Sequence, residues 1–155
     1  MAIILMVMRI NNIQESIALS ARDYQADAVN VVMGKLSQGV SRQIVVLPTG
    51  AGKTVFAKLL FGSFKKLLFI TDTEELLLQS ANSVSGGAYG IIKQDELNTS
   101  HPCTFGSIQT LHKRLSQIDK SLFDLIIIDE CHLSMSKSYR KVVDWFTPKL
   151  LVGRT

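Results

Sequence analysis

The sequence predicts an α/β domain with a mostly parallel sheet of about five core strands flanked by helices. Three observations carry this reading. Short apolar runs suited to buried strands, such as Ile44-Val45-Val46-Leu47 and Leu125-Ile126-Ile127-Ile128, alternate with stretches at helical spacing. Both of these runs lead directly into a polar, chemistry-bearing segment: Thr49-Gly50-Ala51-Gly52-Lys53-Thr54, one proline on, and Asp129-Glu130-Cys131-His132. No internal repeat or low-complexity tract interrupts the alternation.

Taken in order, Ala2 to Met8 is apolar but too short to span a bilayer, and Arg9 closes it. Residues 1–20 are predicted to be an N-terminal strand or docking segment, and residues 21–155 a single domain. A helix should start at Ser20, a capping residue with Asp23 three positions on. Tyr24, Ala28, Val31, Val32 and Leu36 follow at helical spacing, and Gly39 is placed to end the helix. A strand over Ile44–Leu47 precedes a helix from Gly52 or Lys53 to about Phe61. The next strand is Leu67–Thr71, after which Thr73 can cap a helix with Glu74 and Glu75 in its first turn. Ser83 to Gly90 reads as a loop and Thr99 to Pro102 as a turn. A strand near Cys103–Phe105 leads into a helix over Ser107–Ser116. The strand at Leu125–Ile128, a helix over Ser138–Phe146 and a strand at Lys149–Val152 complete the domain.

The 155 residues are 46% hydrophobic and 19% charged, which favours a folded core over disorder. A net charge of +4 is compatible with a polyanionic partner without demanding one. Lys65, Lys66, Lys113, Arg114, Arg140 and Lys141 can be read as a nucleic-acid footprint or as solvated helix ends. Cys103 and Cys131 are expected to be reduced thiols. His101 and Cys103 have no second pair at metal-ligand spacing. No stretch reaches membrane length, so a soluble, cytoplasmic protein is expected.

Glycines at 50 and 52 permit a backbone that turns several N–H groups inward onto phosphate oxygens. The helix that follows aims its positive end at the anion. Lys53 then supplies a point charge for the β- and γ-phosphates, and Thr54 a hydroxyl for Mg²⁺. The strict G-x-x-x-x-G-K-[ST] pattern requires glycine at position 47, where this chain has Leu47. Asp129 should sit at the carboxyl end of a strand, the binding edge of an open α/β sheet. There it can hold Mg²⁺ directly or through water, and Glu130 can act as general base on the attacking water. His132 can hydrogen-bond across the site or simply cap a turn. This layout is what nucleoside-triphosphate hydrolysis requires.

Arg22-Asp23-Tyr24-Gln25, Leu47-Pro48-Thr49-Gly50-Ala51-Gly52-Lys53-Thr54, Phe105-Gly106-Ser107-Ile108-Gln109-Thr110-Leu111, the Asp-Glu-Cys-His box and Leu150-Leu151-Val152-Gly153-Arg154-Thr155 occur in a fixed order. That order and spacing resemble the first RecA-like domain of superfamily-two helicases and translocases, from Ala21 to Thr155. Proline or alanine is common near the loop start in that family, so Leu47 is no objection. Gln109-Thr110-Leu111 and the segment from Tyr139 to Gly153 resemble the DExH branch that includes restriction-enzyme motor subunits and phage and repair helicases. The exit of the second strand, Thr71 to Leu76, lacks the Pro-Thr-Arg-Glu-Leu of DEAD-box RNA helicases, which favours DNA over RNA.

The resemblance implies a RecA-like P-loop NTPase fold, ATP and Mg²⁺ as cofactors, and nucleic acid as partner. It implies that Gln25 reads the adenine edge with Arg22 nearby, and that Thr49, Gly50, Ala51, Gly52, Lys53 and Thr54 wrap the phosphates. Thr54 and Asp129 would hold Mg²⁺, Glu130 would activate water, and His132 would couple hydrolysis to strand movement. Ser107, Gln109 and Thr110, with the segment around Asp72 and Thr73, would face the nucleic-acid backbone. Asp72 departs from the family, where a basic residue or histidine is common. The family's second RecA-like domain, which supplies an arginine finger, has no counterpart in these residues. The chain is therefore expected to be part of a longer helicase, to hydrolyse ATP slowly alone, and to need that domain to unwind a duplex. Two other readings fit the motifs: a phosphate-loop ATPase that moves something other than nucleic acid, and a stand-alone nucleotide-sensing or interaction module.

Overall fold

The computed structural model describes residues 5–6, 21–47, 52–85, 87–131 and 136–155. Ser20, Thr49, Gly50, Ala51 and His132 lie outside the described residues, and Arg22 is described by its backbone alone. In chain order the strands are β1 (Leu5–Met6), β2 (Arg42–Val45), β3 (Leu67–Thr71), β4 (Gly90–Ile92), β5 (Cys103–Ser107), β6 (Leu125–Ile128) and β7 (Leu150–Arg154). The helices are α1 (Ala21–Ser37), α2 (Lys53–Phe61), α3 (Glu74–Ser85), α4 (Ile108–Arg114) and α5 (Lys137–Trp145). All strands join one seven-stranded sheet in the order β1-β2-β7-β6-β3-β5-β4, and every pairing is parallel.

The sheet is covered on both faces, which is why its central strands are apolar throughout rather than alternating. Leu67, Phe69, Phe105, Leu125, Ile127, Leu150 and Val152 pack with Ala28 and Val32 of α1, Phe56, Ala57 and Leu60 of α2, and Leu77 and Ala81 of α3. Leu68, Ile70, Ile126, Ile128 and Leu151 point the other way, onto Ile108 and Leu111 of α4 and Tyr139 and Val142 of α5. Adjacent residues of one strand thus enter opposite cores, the period-two geometry of a pleated strand. Each fully buried Leu, Ile or Phe contributes roughly 1.5–3 kcal/mol by leaving water. No described helix is long and apolar enough to cross a membrane.

The predicted elements are present, several with ends shifted by one or two residues, β7 among them at Leu150–Arg154 in place of Lys149–Val152, and four differences have local causes. β2 starts at Arg42, two residues before its apolar run, because Gln43 is accommodated in the interior. Its amide donates to Val32 O at 3.0 Å and Val40 O at 2.9 Å, tying the strand to the end of α1. α3 continues through the serines predicted to be loop. Ser83 Oγ and Ser85 Oγ donate to the carbonyls of Gln79 and Ala81, four residues back, at 2.8 and 2.7 Å. The short β4 was not predicted; it adds an edge strand beside β5. The helix predicted over Ser107–Ser116 is split: β5 extends through Ser107, and after Arg114 the chain tightens into a single 3-10 turn, Leu115–Gln117. Gly39 ends α1 as predicted, with a φ of 87°.

Candidate functional site

The strand order fixes where the site forms. β7 lies between β2, which leads to the glycine loop, and β6, which leads to the acidic pair. The carboxyl ends of these three parallel strands therefore open on one edge, the usual ligand edge of such sheets. The ladder continues past β2: Leu47 N donates to Thr155 O at 3.0 Å, and Thr155 N to Val45 O at 3.2 Å.

Gly52 precedes α2 in the left-handed conformation, φ 72° and ψ 48°. Gly52 has no side chain to cap this helix end, and the first turn carries no acidic residue. The leading N–H groups of the helix and the positive end of its dipole suit this end to an anion. Gln25, 4% exposed on α1, packs its Nε2 against Gly52 so closely that a Cβ there would overlap it. The first residue of α2, Lys53, projects its ammonium to Glu130, Nζ to Oε1 at 2.9 Å. Thr54 is half-buried in the same turn.

Asp129 follows β6, its N–H donating to Ile70 O at 2.9 Å. Glu130 then adopts φ 48°, a left-handed conformation unusual for a residue with a side chain. Such a residue costs roughly 1–2 kcal/mol and persists only where surroundings enforce it. Here the turn lets Glu130 N donate to Asp129 Oδ1 at 3.1 Å while its carboxylate reaches Lys53. Cys131 comes next, buried against Gly153 of β7, where a Cβ would lie only 2.8 Å from Sγ. Burial pushes the Cys131 thiol pKa up, with the charges of Glu130 and Asp129 acting the same way.

A further cation completes the cluster. Arg154, the last residue of β7, forks onto Asp129 with Nε–Oδ1 2.8 Å and Nη2–Oδ2 2.9 Å, and donates from Nη1 to Lys53 O at 2.6 Å. Its guanidinium carbon sits 4.8 Å from the Phe69 ring centroid. The two ion pairs differ in strength. Lys53 and Glu130 side chains are 25% and 38% exposed, a setting in which a pair is worth about 0–1 kcal/mol. Arg154 and Asp129 are 5% and 19% exposed, so removing one partner costs roughly 3–5 kcal/mol. The first pair can exchange partners; the second is a fixture. Sequence reasoning did not assign Arg154. The signal available was a lone cation ending a strand that is otherwise Leu, Val and Gly.

These residues fit a magnesium nucleotide. Among the described residues no group of three or more His, Cys, Asp or Glu could hold a metal alone. Asp129 and Thr54 are the carboxylate and the hydroxyl there that could share an ion with a ligand's own phosphates. The structure brings Lys53, Asp129 and Glu130 together, with Gly52 and Gln25 beside them. Ser107 and Thr110 lie elsewhere, in the buried start of α4. Ser107 Oγ accepts from Thr110 N at 3.3 Å and donates to Thr110 Oγ1 at 3.1 Å. Thr110 Oγ1 donates in turn to Glu74 Oε1 at 3.3 Å. Gln109, between them, is exposed. Thr73 caps α3 through Leu76 N at 3.4 Å. Of the basic side chains, Arg114 is committed to Gln94 O at 2.6 Å.

Residues 18–155 match the family described as Type III restriction enzyme, res subunit. The chain is 34% identical over 148 residues to a putative ATP-dependent helicase, IRC3, of Saccharomyces cerevisiae, covering 81% of this chain and 21% of that protein. It is 30% identical over 139 residues to the ATP-dependent DNA helicase uvsW of Enterobacteria phage T4, covering 77% of this chain and 26% of that protein. It therefore spans about a fifth to a quarter of these relatives. A solved fragment of a putative HsdR subunit of a type I restriction enzyme from Vibrio vulnificus YJ016 superposes with a TM-score of 0.64 at 27% identity, over 86% of this chain and 25% of that one. With the parallel sheet described above, the chain belongs to the Type III restriction enzyme res subunit family and has the fold of the first RecA-like domain of superfamily-two helicases, in the branch of restriction motors and phage and repair helicases.

Proposed function

We propose that this chain binds Mg·ATP and, joined to a second RecA-like domain, couples its hydrolysis to movement along nucleic acid, DNA rather than RNA. The observation that carries this reading is the meeting of Lys53 with Glu130 at the open N-terminus of α2, 2.9 Å apart. A lysine at a phosphate-binding helix end and a carboxylate able to take a proton from water share one small space. The names of the relatives, an ATP-dependent DNA helicase among them, support the choice of nucleotide and of DNA.

In this reading Gln25 and Arg22 recognise the base, and Thr49 to Thr54 surround the phosphates. Lys53 exchanges Glu130 for phosphate oxygens, which frees Glu130 to draw a proton from the attacking water. Thr54 and Asp129 would hold the magnesium, which would supply positive charge against the phosphates. Gln109 lines the nucleic-acid path, Ser107 and Thr110 fix the start of the helix that carries it, and His132 links the path to the nucleotide. An arginine finger from the second domain would supply about 10³–10⁵ in turnover, so hydrolysis by these residues alone is slow.

Calorimetry of Mg·ATP and Mg·ADP with the native chain and Lys53→Ala tests the nucleotide site: binding should be lost in the variant. Absence of binding by the folded native chain would overturn it. DNA-stimulated ATP hydrolysis by the chain joined to its second domain tests the motor; an ATPase indifferent to DNA and RNA would leave a nucleotide-sensing module.

A further inference from the structure

Arg154 has no role in the reading above, yet the site holds it by three hydrogen bonds. The residues before it in β7, Leu150 to Gly153, are apolar or small and buried. Arg154 itself is 4% exposed. A guanidinium placed there must have every hydrogen-bonding direction met, and three are met by the site itself: Asp129 Oδ1 at 2.8 Å, Asp129 Oδ2 at 2.9 Å and Lys53 O at 2.6 Å. Its flat face rests on Phe69.

An ionised carboxylate offers about four acceptor positions. Asp129 Oδ1 takes Arg154 Nε and the N–H of Glu130, and Oδ2 takes Arg154 Nη2. These contacts fix the rotation of the carboxylate and leave its acceptor capacity on Oδ2. The contact to Lys53 O ties the same guanidinium to the first residue of α2, so the phosphate helix and the acid are held by one planar group. A lysine could match the charge but not this fork.

We propose that Arg154 is a positioning residue for the magnesium of the bound nucleotide. It presents Asp129 with one oxygen directed to the ion or its water, and holds that oxygen at a set distance from the phosphate helix. The proposal rests on the nucleotide reading and adds a residue to it.

The test is the ratio of ADP affinity with and without Mg²⁺, measured by calorimetry on the 155-residue chain. Loss of the group that orients a metal-binding residue typically costs roughly 10- to 100-fold in metal affinity. Arg154→Met keeps the stem over Phe69 and removes the fork; the magnesium-dependent gain should fall by that order. Arg154→Lys, the milder change if the methionine variant folds poorly, should recover part of it. In an Asp129→Asn background, Arg154→Lys should change the ratio no further, because the effect passes through Asp129. A role in folding alone would lower the melting temperature and leave the ratio as in the native chain, which overturns the proposal. A ratio that rises, as it would if Arg154 competed with the metal for Asp129, overturns it too. A native chain that binds no ADP at all would instead sink the nucleotide reading, and this proposal with it.

Discussion

Lys53 and Glu130 stand 77 residues apart in sequence and 2.9 Å apart in space, each the other's counter-ion. The pair is exposed enough to be worth only about 0–1 kcal/mol, so phosphate oxygens at the helix end can win the lysine. Glu130→Gln removes the competitor. Mg·ATP affinity, read by calorimetry, should then rise up to about fivefold, the equivalent of ~1 kcal/mol. In the chain joined to its second domain, turnover should fall by about 10²–10⁴-fold. A variant that turns over at the native rate would remove Glu130 from the role of base.

Gly52 combines a φ of 72° with the amide of Gln25 pressed against its α-carbon. Gly52→Ala must bear a left-handed alanine, roughly 1–2 kcal/mol, and displace Gln25 as well. A lower melting temperature and loss of Mg·ADP binding are expected. Normal binding would mean that the loop can reach its phosphate-holding shape with Gln25 moved aside.

Burial pushes the Cys103 thiol from 9.0 up to about 12. It also pushes the Tyr139 hydroxyl from 10.0 up to about 12, with the charge of Asp72 adding to the effect. Both groups are neutral when folded, and a raised folded pKa means stability that is intact below the unfolded value and lost as pH climbs above it. Denaturant midpoints should therefore fall between about pH 9 and 12, and fall less in Cys103→Ala. Both cysteines are buried, so a thiol reagent at pH 8 should label them only after unfolding. Rapid labelling of the native protein would contradict the packing around Gly153 and β5.

Ser107 and Gln109, near neighbours at the start of α4, should separate cleanly on substitution. Ser107→Ala loses the cap on Thr110 N and should cost about 0.5–2 kcal/mol in a denaturant titration. Gln109 is exposed, and its alanine variant should stay within about 0.5 kcal/mol of native stability. Its effect should appear in nucleic-acid affinity of the longer protein. If Gln109→Ala binds nucleic acid as the native protein does, the path does not run past α4.

What the sequence made legible was local. The run before Asp129 is apolar because β6 is buried on both faces, the run before Lys53 buries alternate residues of β2, and the polar residues beyond both mark the open edge of the sheet. The sequence missed features whose meaning depends on distant partners. Gln43 looks like a loop residue until the end of α1 accepts its amide. Ser83 and Ser85 look like breakers until their hydroxyls turn back onto the helix. Arg154 is an anomaly in an apolar strand until Asp129 and Lys53 surround it, 25 and 101 residues away.

The position of β7 sets a timetable for the site. It follows the other six described strands in the chain, yet it occupies the gap between β2 and β6. Until Leu150–Arg154 have left the ribosome, the glycine-loop strand and the acid strand have nothing to join them. Asp129 meanwhile lacks the guanidinium it faces in the finished domain. The growing chain is thus two half-sheets awaiting a wedge, and closing such long loops is slow. In the proposed reading, a nucleotide site shared by the ends of β2, β6 and β7 would form only when that wedge is seated, so binding would report closure of the sheet.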